Sequence, residues 1–364
     1  MKLSDYVSTA TFKDEAQFVD SRSWIYVATL YDLSEENSFA VVPAFATQVV
    51  VQNIKGNLHA FSNICTHRYS ILQNKAFGKR PLVCPYHGWS FSSSGLPTIP
   101  ESQKEQSYSV EELSSLKLQA YKVRDFCNLV FIALDKEGLP ELEDYLSDSV
   151  GPLSTLTSSI GSLLSREEFY VNANWKLVIE NTLDSLHVRQ VHPSSLGKLG
   201  AYNITNALFC NGHSQFDGSS PSGVEELKKL KKKLGDFNLD ISGYRHFFVY
   251  PRLTISSVMG LTINIHSVQP LEYNQCRVIN SVYATKLNDP EMTSALQRLS
   301  GAAMSSFVHQ VWHEDHSVIE STQHGMSMTV NQSHDHEYVV KWCLGEERIS
   351  QFHAYYSSQK ALHS

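Results

Sequence analysis

Two short segments that each pair a cysteine with a histidine constrain this sequence more than any other feature. The first is Cys65-Thr66-His67, and the second, Cys84-Pro85-Tyr86-His87, follows after sixteen intervening residues. Two cysteines and two histidines can bind a single zinc ion, but zinc sites of that composition usually pair cysteine with cysteine and histidine with histidine. Here each segment is mixed, so the spacing disfavours zinc, which is the alternative.

A mixed pair in each segment suits a [2Fe–2S] cluster whose two irons have different ligands. Both thiolates bind one iron and both imidazoles bind the other, which raises the reduction potential and leaves the histidine-bound iron near the surface. We therefore predict that Cys65, His67, Cys84 and His87 hold such a cluster. No disulfide framework is expected, because the other four cysteines are scattered along a long chain.

A second set of candidate ligands lies in the segment from Asn174 to Pro193. If this segment is helical, Asp184 and His187 are three residues apart and share one face. His192 immediately precedes Pro193, near the expected end of the helix, and can turn toward the same point. Two histidines and a carboxylate are the donor set of non-haem Fe(II) oxygenases, which leaves positions open for O2 and substrate. The alternative is a helix that carries these polar residues incidentally, which the first motif disfavours.

Together these segments resemble the α (oxygenase) subunit of Rieske-type non-haem iron oxygenases. In the first half of the chain the similarity rests on Cys65-Thr66-His67-Arg68, on Cys84 to Trp89 and on Leu96 to Pro100. In the second half it rests on Asn174-Trp175-Lys176 and on the pattern Glu-Asn-x-x-Asp-x-x-His-x-x-x-x-His that begins at Glu180. The resemblance implies two cofactors, a Rieske [2Fe–2S] cluster and a mononuclear Fe(II).

The resemblance also separates two types of Rieske protein. Those of respiratory complexes carry two further cysteines that form a disulfide between the cluster loops. At the corresponding positions this chain has Ser70 and Tyr86, so that bridge is absent. The lower-potential oxygenase type is therefore favoured over the respiratory type.

The family's roles carry over to individual residues of the second segment. His187 and His192 correspond to iron ligands, and Asp184 to a carboxylate that bridges His187 and a cluster ligand, His87. In this family the bridge crosses a subunit boundary, since the two centres of one chain lie too far apart for useful electron transfer. A head-to-tail homotrimer is implied, because a ring closes a heterologous interface.

The third iron ligand should be an acid far along the sequence. Asp315 is the best candidate, because the Glu314-Asp315 pair, an acid five residues later and a glutamine three beyond it are similar to the late carboxylate segment of the family. The similarity is greatest to α-only members that act on quaternary amines. Glu314 is the alternative ligand, and His313 and His316 are predicted to flank the site without binding the metal.

The length of 364 residues and the pattern of strands and helices indicate an α+β protein with two domains. Short strands and turns over residues 38–123, including a hairpin signal at Lys55-Gly56-Asn57, predict a small antiparallel β Rieske domain. Residues 124–364 are predicted to form a larger catalytic domain, an antiparallel sheet flanked by helices that holds the mononuclear iron. Residues 1–37 are predicted to form an N-terminal segment that packs on this catalytic domain.

The resemblance implies a terminal oxygenase that uses O2 and electrons from outside the chain. A flavin-dependent reductase, with or without a ferredoxin, supplies them in this interpretation. Because no GxGxxG motif follows a strand, we expect NAD(P)H to act only through that reductase.

The chain is short for an α subunit that pairs with a β subunit, which favours monooxygenation, by hydroxylation or oxidative dealkylation, of a small organic substrate. One alternative is an aromatic-ring cis-dihydroxylating dioxygenase. Another is an electron-transfer protein with a degenerate catalytic domain, which the presence of all three candidate iron ligands disfavours.

Charge and hydropathy argue against other classes of partner. The formal charge of −7 gives no electrostatic reason to expect nucleic acid or an anionic membrane. No apolar run approaches the roughly 18–20 residues that a membrane span needs. The amino-terminal residues lack the apolar stretch of a secretory signal, so we expect a cytoplasmic protein.

The identity of the substrate is not evident from the sequence. Five apolar residues are candidates for lining the pocket, although a core position is the better interpretation of each: Phe247, Tyr250, Met259, Met304 and Phe307. An aromatic cage for a cationic amine is physically reasonable in a chain so rich in tyrosine and phenylalanine. The stretch 213–240, with its glycines and serines, is a candidate mobile lid.

Overall fold

A computed structural model of the chain describes residues 1–45, 47–103, 108–135, 138–196, 203–219, 241, 243–286, 290–330 and 342–363, with the short stretches 224–225, 228–229 and 232. The chain forms two compact units. The larger contains Met1–Val19 and Glu143–Ser364, and the smaller contains Asp20–Leu142. Over the described residues, each unit contains one antiparallel sheet of seven strands.

Two short helices open the larger unit, α1 (Ser4–Val7) and α2 (Thr9–Glu15), and a π-helical turn follows them at Ala16–Asp20. Ser8 caps α2, because its side chain accepts a hydrogen bond of 3.2 Å from the Thr11 backbone N–H. Both helices belong to the larger unit, which includes Met1–Val19.

A buried carboxylate, Glu15, anchors α2 within the larger unit. It forms a salt bridge with Lys176, and both side chains are fully buried. Trp175 Nε1 donates a hydrogen bond of 2.8 Å to one of its oxygens, and the Tyr356 hydroxyl donates one of 2.7 Å to the other. The buried charge pair therefore has the additional hydrogen bonds that a protein interior requires of it.

Glu15→Gln is expected to lower the free energy of unfolding of the larger unit by about 3–5 kcal/mol, because it leaves the Lys176 ammonium buried without a counter-ion. Urea denaturation followed by tryptophan fluorescence measures the change. Glu168→Gln is the control, since Glu168 lies 3.4 Å from Arg277 at the surface of the same unit, and we expect it to cost less than about 1 kcal/mol. Equal losses in the two variants would contradict the prediction.

The smaller unit is the small antiparallel β domain predicted from the sequence. Its main sheet contains β1 (Ile25–Thr29), β2 (Ser38–Ala44), β3 (Thr47–Ile54), β4 (Asn57–Ser62), β5 (Phe77–Lys79), β8 (Ala120–Phe126) and β9 (Leu129–Ala133). They lie in the order β1-β9-β8-β4-β3-β2-β5. A second pair, β6 (Ser90–Phe91) and β7 (Pro97–Thr98), and the helix α3 (Val110–Ser115) complete it. The predicted hairpin joins β3 to β4, with Lys55 and Gly56 at φ values of 53° and 81°.

This unit extends beyond the predicted bounds of 38–123. Strand β1 pairs with β9, and β9 pairs with β8, so residues on both sides of the predicted domain belong to its sheet. All five residues of β9 are buried, because β9 lies between two strands rather than at an edge. Of the predicted N-terminal segment 1–37, only Met1–Val19 groups with the larger unit.

The sheet of the larger unit is built mainly from strands that pair in chain order. Its members are β10 (Ile160–Val171), β11 (Asn203–Leu208), β12 (Ser214–Ser219), β13 (Gly243–Val249), β14 (Leu253–Val258), β15 (Thr262–Glu272) and β16 (Gln275–Thr285). Strands β11 to β16 form an antiparallel meander, and β10 adds to it beside β16.

Helices flank this sheet, which confirms the predicted α+β class. They are α4 (Leu142–Leu146), α5 (Val150–Thr157), α6 (Trp175–Leu183), α7 (Val188–Val191), α8 (Pro290–Val330) and α9 (Glu347–Ala361). The long helix α8 packs on β10, β16 and α6. It thereby brings a late segment of the chain against the segment that contains Asp184 and His187.

Within the described residues, no helix combines the length and the apolar character that crossing a bilayer requires. Of the candidate lid at 213–240, residues up to 219 form strand β12 and the turn before it. Most of the remainder lies outside the described residues.

Candidate metal centres

The loop that carries the first cysteine of the smaller unit is closed by main-chain hydrogen bonds. The Cys65 N–H donates to the Ser70 carbonyl at 2.8 Å, and the Cys65 carbonyl accepts from the Tyr69 N–H at 2.9 Å. Tyr69 has a φ of 59°, a conformation uncommon for a residue with a side chain. The Cys65 side chain is fully buried.

The second loop repeats this geometry residue for residue. The Cys84 N–H donates to the Trp89 carbonyl at 2.7 Å, and the Cys84 carbonyl accepts from the Gly88 N–H at 3.0 Å. Gly88 has a φ of 75°, so the fourth residue after the cysteine is left-handed in both loops. Cys84 is also buried. The two segments that the sequence matched by composition are therefore matched in backbone geometry too.

The two histidines of these loops lie side by side near the surface of the smaller unit. The ring centroids of His67 and His87 are 4.9 Å apart, and His67 stacks on Trp89 at 4.5 Å. Gln103 supports this arrangement, since it accepts a hydrogen bond from Trp89 Nε1 and donates one to the His87 carbonyl. Both histidines are half-buried, whereas both cysteines are buried. This division fits a cluster whose cysteine-bound iron is internal and whose histidine-bound iron faces solvent.

In the larger unit, the segment with the second ligand set is not the continuous helix that the spacing predicts. Helix α6 ends at Leu183, because Asp184 is extended (φ −75°, ψ 125°). The Asp184 carboxylate then accepts a hydrogen bond of 2.7 Å from the Leu186 N–H, and α7 begins after His187. The turn still places His187 Nδ1 3.3 Å from Asp184 Oδ2. The two side chains are neighbours through a turn rather than along a helix face.

Three donor atoms converge in this unit, from His187, His192 and Asp315, and all lie within 4.8 Å of one another. Asp315 Oδ1 is 3.6 Å from His187 Nε2 and 3.0 Å from His192 Nε2. His192 is fully buried and Asp315 nearly so. His192 Nε2 and Asp315 Oδ1 are buried without a hydrogen-bond partner although they are close together. Buried donor atoms that converge and lack hydrogen-bond partners are the arrangement expected around a metal ion.

The predicted alternative ligand, Glu314, lies on the other side of the His192 ring. Its Oε2 atom is 2.7 Å from His192 Nδ1 and accepts a hydrogen bond from the Ser195 hydroxyl, while Gln310 donates to its second oxygen at 2.9 Å. A proton on Nδ1 leaves the Nε2 lone pair directed at the converging donors. Burial alone would lower the pKa of His192, but Asp315 and then Glu314 raise it above its usual value.

A cavity of about 850 Å³ lies beside these three donors. Part of its wall comes from the segment 181–196, which includes His187 and His192. The rest comes from the sheet and from two helices, α8 and α9: Phe216, Tyr244, His246, His266, Val311, Trp312, Asp315 and Arg348. A metal ion held by the three donors would therefore face a space large enough for a small organic molecule.

Comparison with known families matches a model to each of the two parts of the chain that contain a candidate site. Residues 156–361 match the family model described as ring hydroxylating alpha subunit (catalytic domain), and residues 23–114 match the Rieske [2Fe-2S] domain. The first match covers more than half of the 364 residues. The chain belongs to the ring-hydroxylating α-subunit family. Membership confirms the predicted family and implies the two predicted cofactors, a Rieske cluster and a mononuclear iron, for which the donor sets above are suited.

Individual relatives act on different substrates. The chain is 24% identical to the large subunit of anthranilate 1,2-dioxygenase from Acinetobacter baylyi, over 76% of this chain and 66% of that protein. It is 30% identical to the oxygenase subunit of carnitine monooxygenase from Acinetobacter pittii, over 52% and 51%. It is 28% identical to the chloroplastic choline monooxygenase of Arabidopsis thaliana, over 84% and 69%. The matched region thus spans half to about two thirds of these relatives.

Solved structures share the fold over almost the whole chain. A quaternary ammonium Rieske monooxygenase in complex with L-carnitine superposes with a TM-score of 0.78 at 18% identity, covering 99% of this chain and 94% of that one. Naphthalene 1,2-dioxygenase from Rhodococcus sp. bound to indole gives 0.75 at 18% identity, covering 98% and 96%. The ring-hydroxylating α-subunit fold therefore accounts for both units of the chain.

The described residues that line the cavity are not the five that the sequence suggested. Phe247 and Tyr250 are fully buried core residues, as the preferred interpretation had it. Neither these two nor Met259 and Phe307 line the cavity. The side chain of Met304 lies outside the described residues.

The alternation of side chains along a strand explains which residues of β13 line the cavity. Along β13, Tyr244 and His246 face the cavity, while Phe247 points to the opposite face and stacks on Phe209 at 5.6 Å. Side chains two residues apart share a face of a strand. A pattern of period two that included the polar residues would therefore have selected Tyr244 and His246.

Proposed function

We propose that the chain is the terminal oxygenase component of a Rieske oxygenase system, which uses O2 and externally supplied electrons to monooxygenate a small organic substrate by hydroxylation or oxidative dealkylation. The convergence of His187, His192 and Asp315 beside a cavity of about 850 Å³ carries the proposal. A protein that only transferred electrons would have no use for a buried open donor set facing such a space.

We assign the mononuclear iron to His187, His192 and Asp315, with Glu314 holding the His192 ring in place through Nδ1. In the smaller unit, Cys65 and Cys84 are assigned to one iron of the cluster and His67 and His87 to the other. When bound, the cluster supplies single electrons and the mononuclear iron activates O2. The protein contributes the orientation of the donors and a cavity with aromatic walls.

Asp184 is assigned as the bridge between the two kinds of centre. Its Oδ2 atom is next to His187 Nδ1, and its Oδ1 atom is held by the Leu186 N–H. In a head-to-tail homotrimer this carboxylate would also contact His87 of a neighbouring subunit. Support comes from the solved quaternary ammonium Rieske monooxygenase for which inter-subunit electron transfer is described. The homotrimer, the flavin-dependent reductase with or without a ferredoxin, and the cytoplasmic location stay predictions.

Quaternary amines are the favoured class of substrate. Relatives include carnitine, choline and glycine betaine monooxygenases, and Phe216, Tyr244 and Trp312 place aromatic rings on the cavity wall. Aromatic faces attract a cationic ammonium group. Aromatic-ring cis-dihydroxylation is the second candidate, because the anthranilate dioxygenase relative matches 76% of this chain and the same rings would pack against an aromatic substrate.

Metal content and oxygen-dependent product formation test the proposal together. Protein prepared without oxygen should contain about three irons and two acid-labile sulfides per chain, and should show the EPR signal of a histidine-ligated cluster after reduction. With a reductase, NADH and a panel of quaternary amines and aromatic acids, hydroxylation should give a product that carries oxygen from ¹⁸O2. Dealkylation should instead release the shortened amine together with an aldehyde, which takes the inserted oxygen, and should require O2. Two irons per chain, with no uptake of a third on reconstitution with Fe(II) and no such product, would favour electron transfer instead. A cis-diol as the product would select the second candidate.

A further inference from the structure

A buried arginine, Arg348, lines the cavity from the first turn of helix α9. It is only 2% exposed. Its Nε donates to the Ser214 hydroxyl at 3.0 Å, and its Nη2 lies 2.8 Å from His246 Nδ1. Both partners are neutral groups. In the described part of the chain no carboxylate lies within 4.0 Å of this guanidinium, so its charge has no counter-ion there.

Two acids near Arg348, one by its charge and one by its place in the sequence, are bound to other groups. Asp217, whose charge acts on Arg348, is itself 2.6 Å from Arg245 Nε. Glu347 precedes Arg348 in α9, but its carboxylate accepts hydrogen bonds from the Asn206 amide at 2.8 Å and the Gly345 N–H at 3.1 Å. Neither acid is therefore available to neutralise the guanidinium.

A buried charge without a counter-ion is unfavourable in a protein interior. Burial lowers the pKa of Arg348 to about 9, against the opposing influence of Tyr244 and Asp217. The guanidinium consequently remains protonated at neutral pH. A cavity that retains a charged group of this kind is suited to a ligand that brings the opposite charge.

The neighbouring His246 offers a second donor. Because Arg348 has only donors, the hydrogen bond between them makes His246 Nδ1 the acceptor. Burial, and then the charge of Arg348, hold the pKa of His246 well below its usual value, so the ring is neutral with its proton on Nε2. His246 Nε2 is buried and has no hydrogen-bond partner among the described residues.

We propose that Arg348 and His246 form a carboxylate subsite, so that the substrate carries a carboxylate as well as the group oxidised at the metal site. The planar guanidinium matches a carboxylate in geometry and charge, and the His246 Nε2–H supplies a further hydrogen bond. The inference rests on the proposed function, since it specifies which molecules the cavity binds. It favours betaines and aromatic acids over a cation that lacks an acidic group.

The test is binding without turnover, measured by calorimetry on oxidised holoprotein with no reductant present. Two matched pairs serve as probes: γ-butyrobetaine with its methyl ester, and benzoate with benzamide. Wild-type protein should bind at least one acid about 30-fold or more tightly than the matching ester or amide, which lacks the carboxylate, and Arg348→Met should abolish that preference. Equal affinity within both pairs, a preference that survives Arg348→Met, or no binding of either acid would overturn the proposal.

Two further variants keep the test decisive. Arg348→Lys retains a positive charge if the methionine variant does not fold, as judged by tryptophan fluorescence. It should reduce the preference by losing the planar fork. Arg189→Met removes an exposed arginine that also lines the cavity, and we expect it to change the preference by less than about threefold. Loss of the preference in Arg189→Met alone would place the subsite elsewhere and overturn the assignment.

The experiments distinguish failure of the carboxylate subsite from failure of the proposed oxygenase function. An Arg348-dependent preference for acids, with no hydroxylated or dealkylated product from any bound acid, would refute the oxygenase and leave the subsite in place. Product formation from the ester or amide at the same rate as from the acid would refute the subsite and leave the oxygenase in place.

Discussion

Asp315→Asn is expected to remove the mononuclear iron and leave the cluster intact. Asp315 is the anionic member of the three converging donors, and its Oδ1 atom is buried without a hydrogen-bond partner. A neutral amide of the same size keeps the shape but loses the charge that balances Fe(II). Iron content should fall from about three to about two per chain, with sulfide content unchanged and product formation at background.

Two neighbours of Asp315 on α8 provide graded controls. His313→Ala removes an exposed histidine and should retain the third iron. Glu314→Gln weakens the hydrogen bond to His192 Nδ1. The affinity of this variant for Fe(II) should therefore fall by about 10- to 100-fold without being abolished. Fe(II) titration of metal-depleted protein measures all three variants. Complete loss of iron in Glu314→Gln together with normal binding in Asp315→Asn would reverse the assignment of the ligand.

Asp184→Asn is expected to slow electron transfer between the two centres without removing metal from either. The amide keeps the size of the side chain but weakens the contact with His187 Nδ1, which lies 3.3 Å from the carboxylate. With both metal sites loaded, reoxidation of the reduced cluster on mixing with O2 and substrate should slow by about 10- to 100-fold. Stopped-flow absorbance of the cluster follows this step.

The comparison for Asp184→Asn is Glu272→Gln, which removes an exposed carboxylate on β15 and should leave the rate unchanged. Reoxidation at the wild-type rate in Asp184→Asn would show that the bridge is elsewhere.

Mixed oligomers test whether electrons pass between subunits. Subunits lacking the cluster (Cys84→Ser) and subunits lacking the iron (His187→Ala), each inactive alone, should regain partial activity when reassembled together. No recovery in oligomers shown to be mixed would contradict transfer between subunits.

Most of the candidate metal ligands could be proposed from the sequence because they lie close to one another along the chain; Asp315 is the exception. The Cys65 and Cys84 segments each hold both donors within a few residues, and the two loops close with the same main-chain hydrogen bonds. His187 and His192 likewise follow from spacing, although the chain between them turns instead of continuing as a helix. The roles of these residues stay predictions, whereas the family, the fold class and the cofactors are confirmed.

The lining of the cavity was not predictable, because segments far apart in the sequence build it. His246 and Arg348 are 102 residues apart and meet only when α9 packs near β13. Neither residue has a local pattern that distinguishes it from a solvated histidine or arginine. The extent of the smaller unit was missed for a similar reason, since β1 and β9 are joined by pairing across about a hundred residues.

Consecutive residues of a single helix lie next to the two ring nitrogens of His192. Glu314 contacts Nδ1 and Asp315 approaches Nε2, and Trp312, less than one turn earlier on α8, forms part of the cavity wall. Any rotation or sliding of α8 therefore acts on both sides of the ring at once. A ligand that displaced Trp312 would act on the same helix that carries both acids, so occupancy of the cavity and the positions of the candidate metal donors depend on one element.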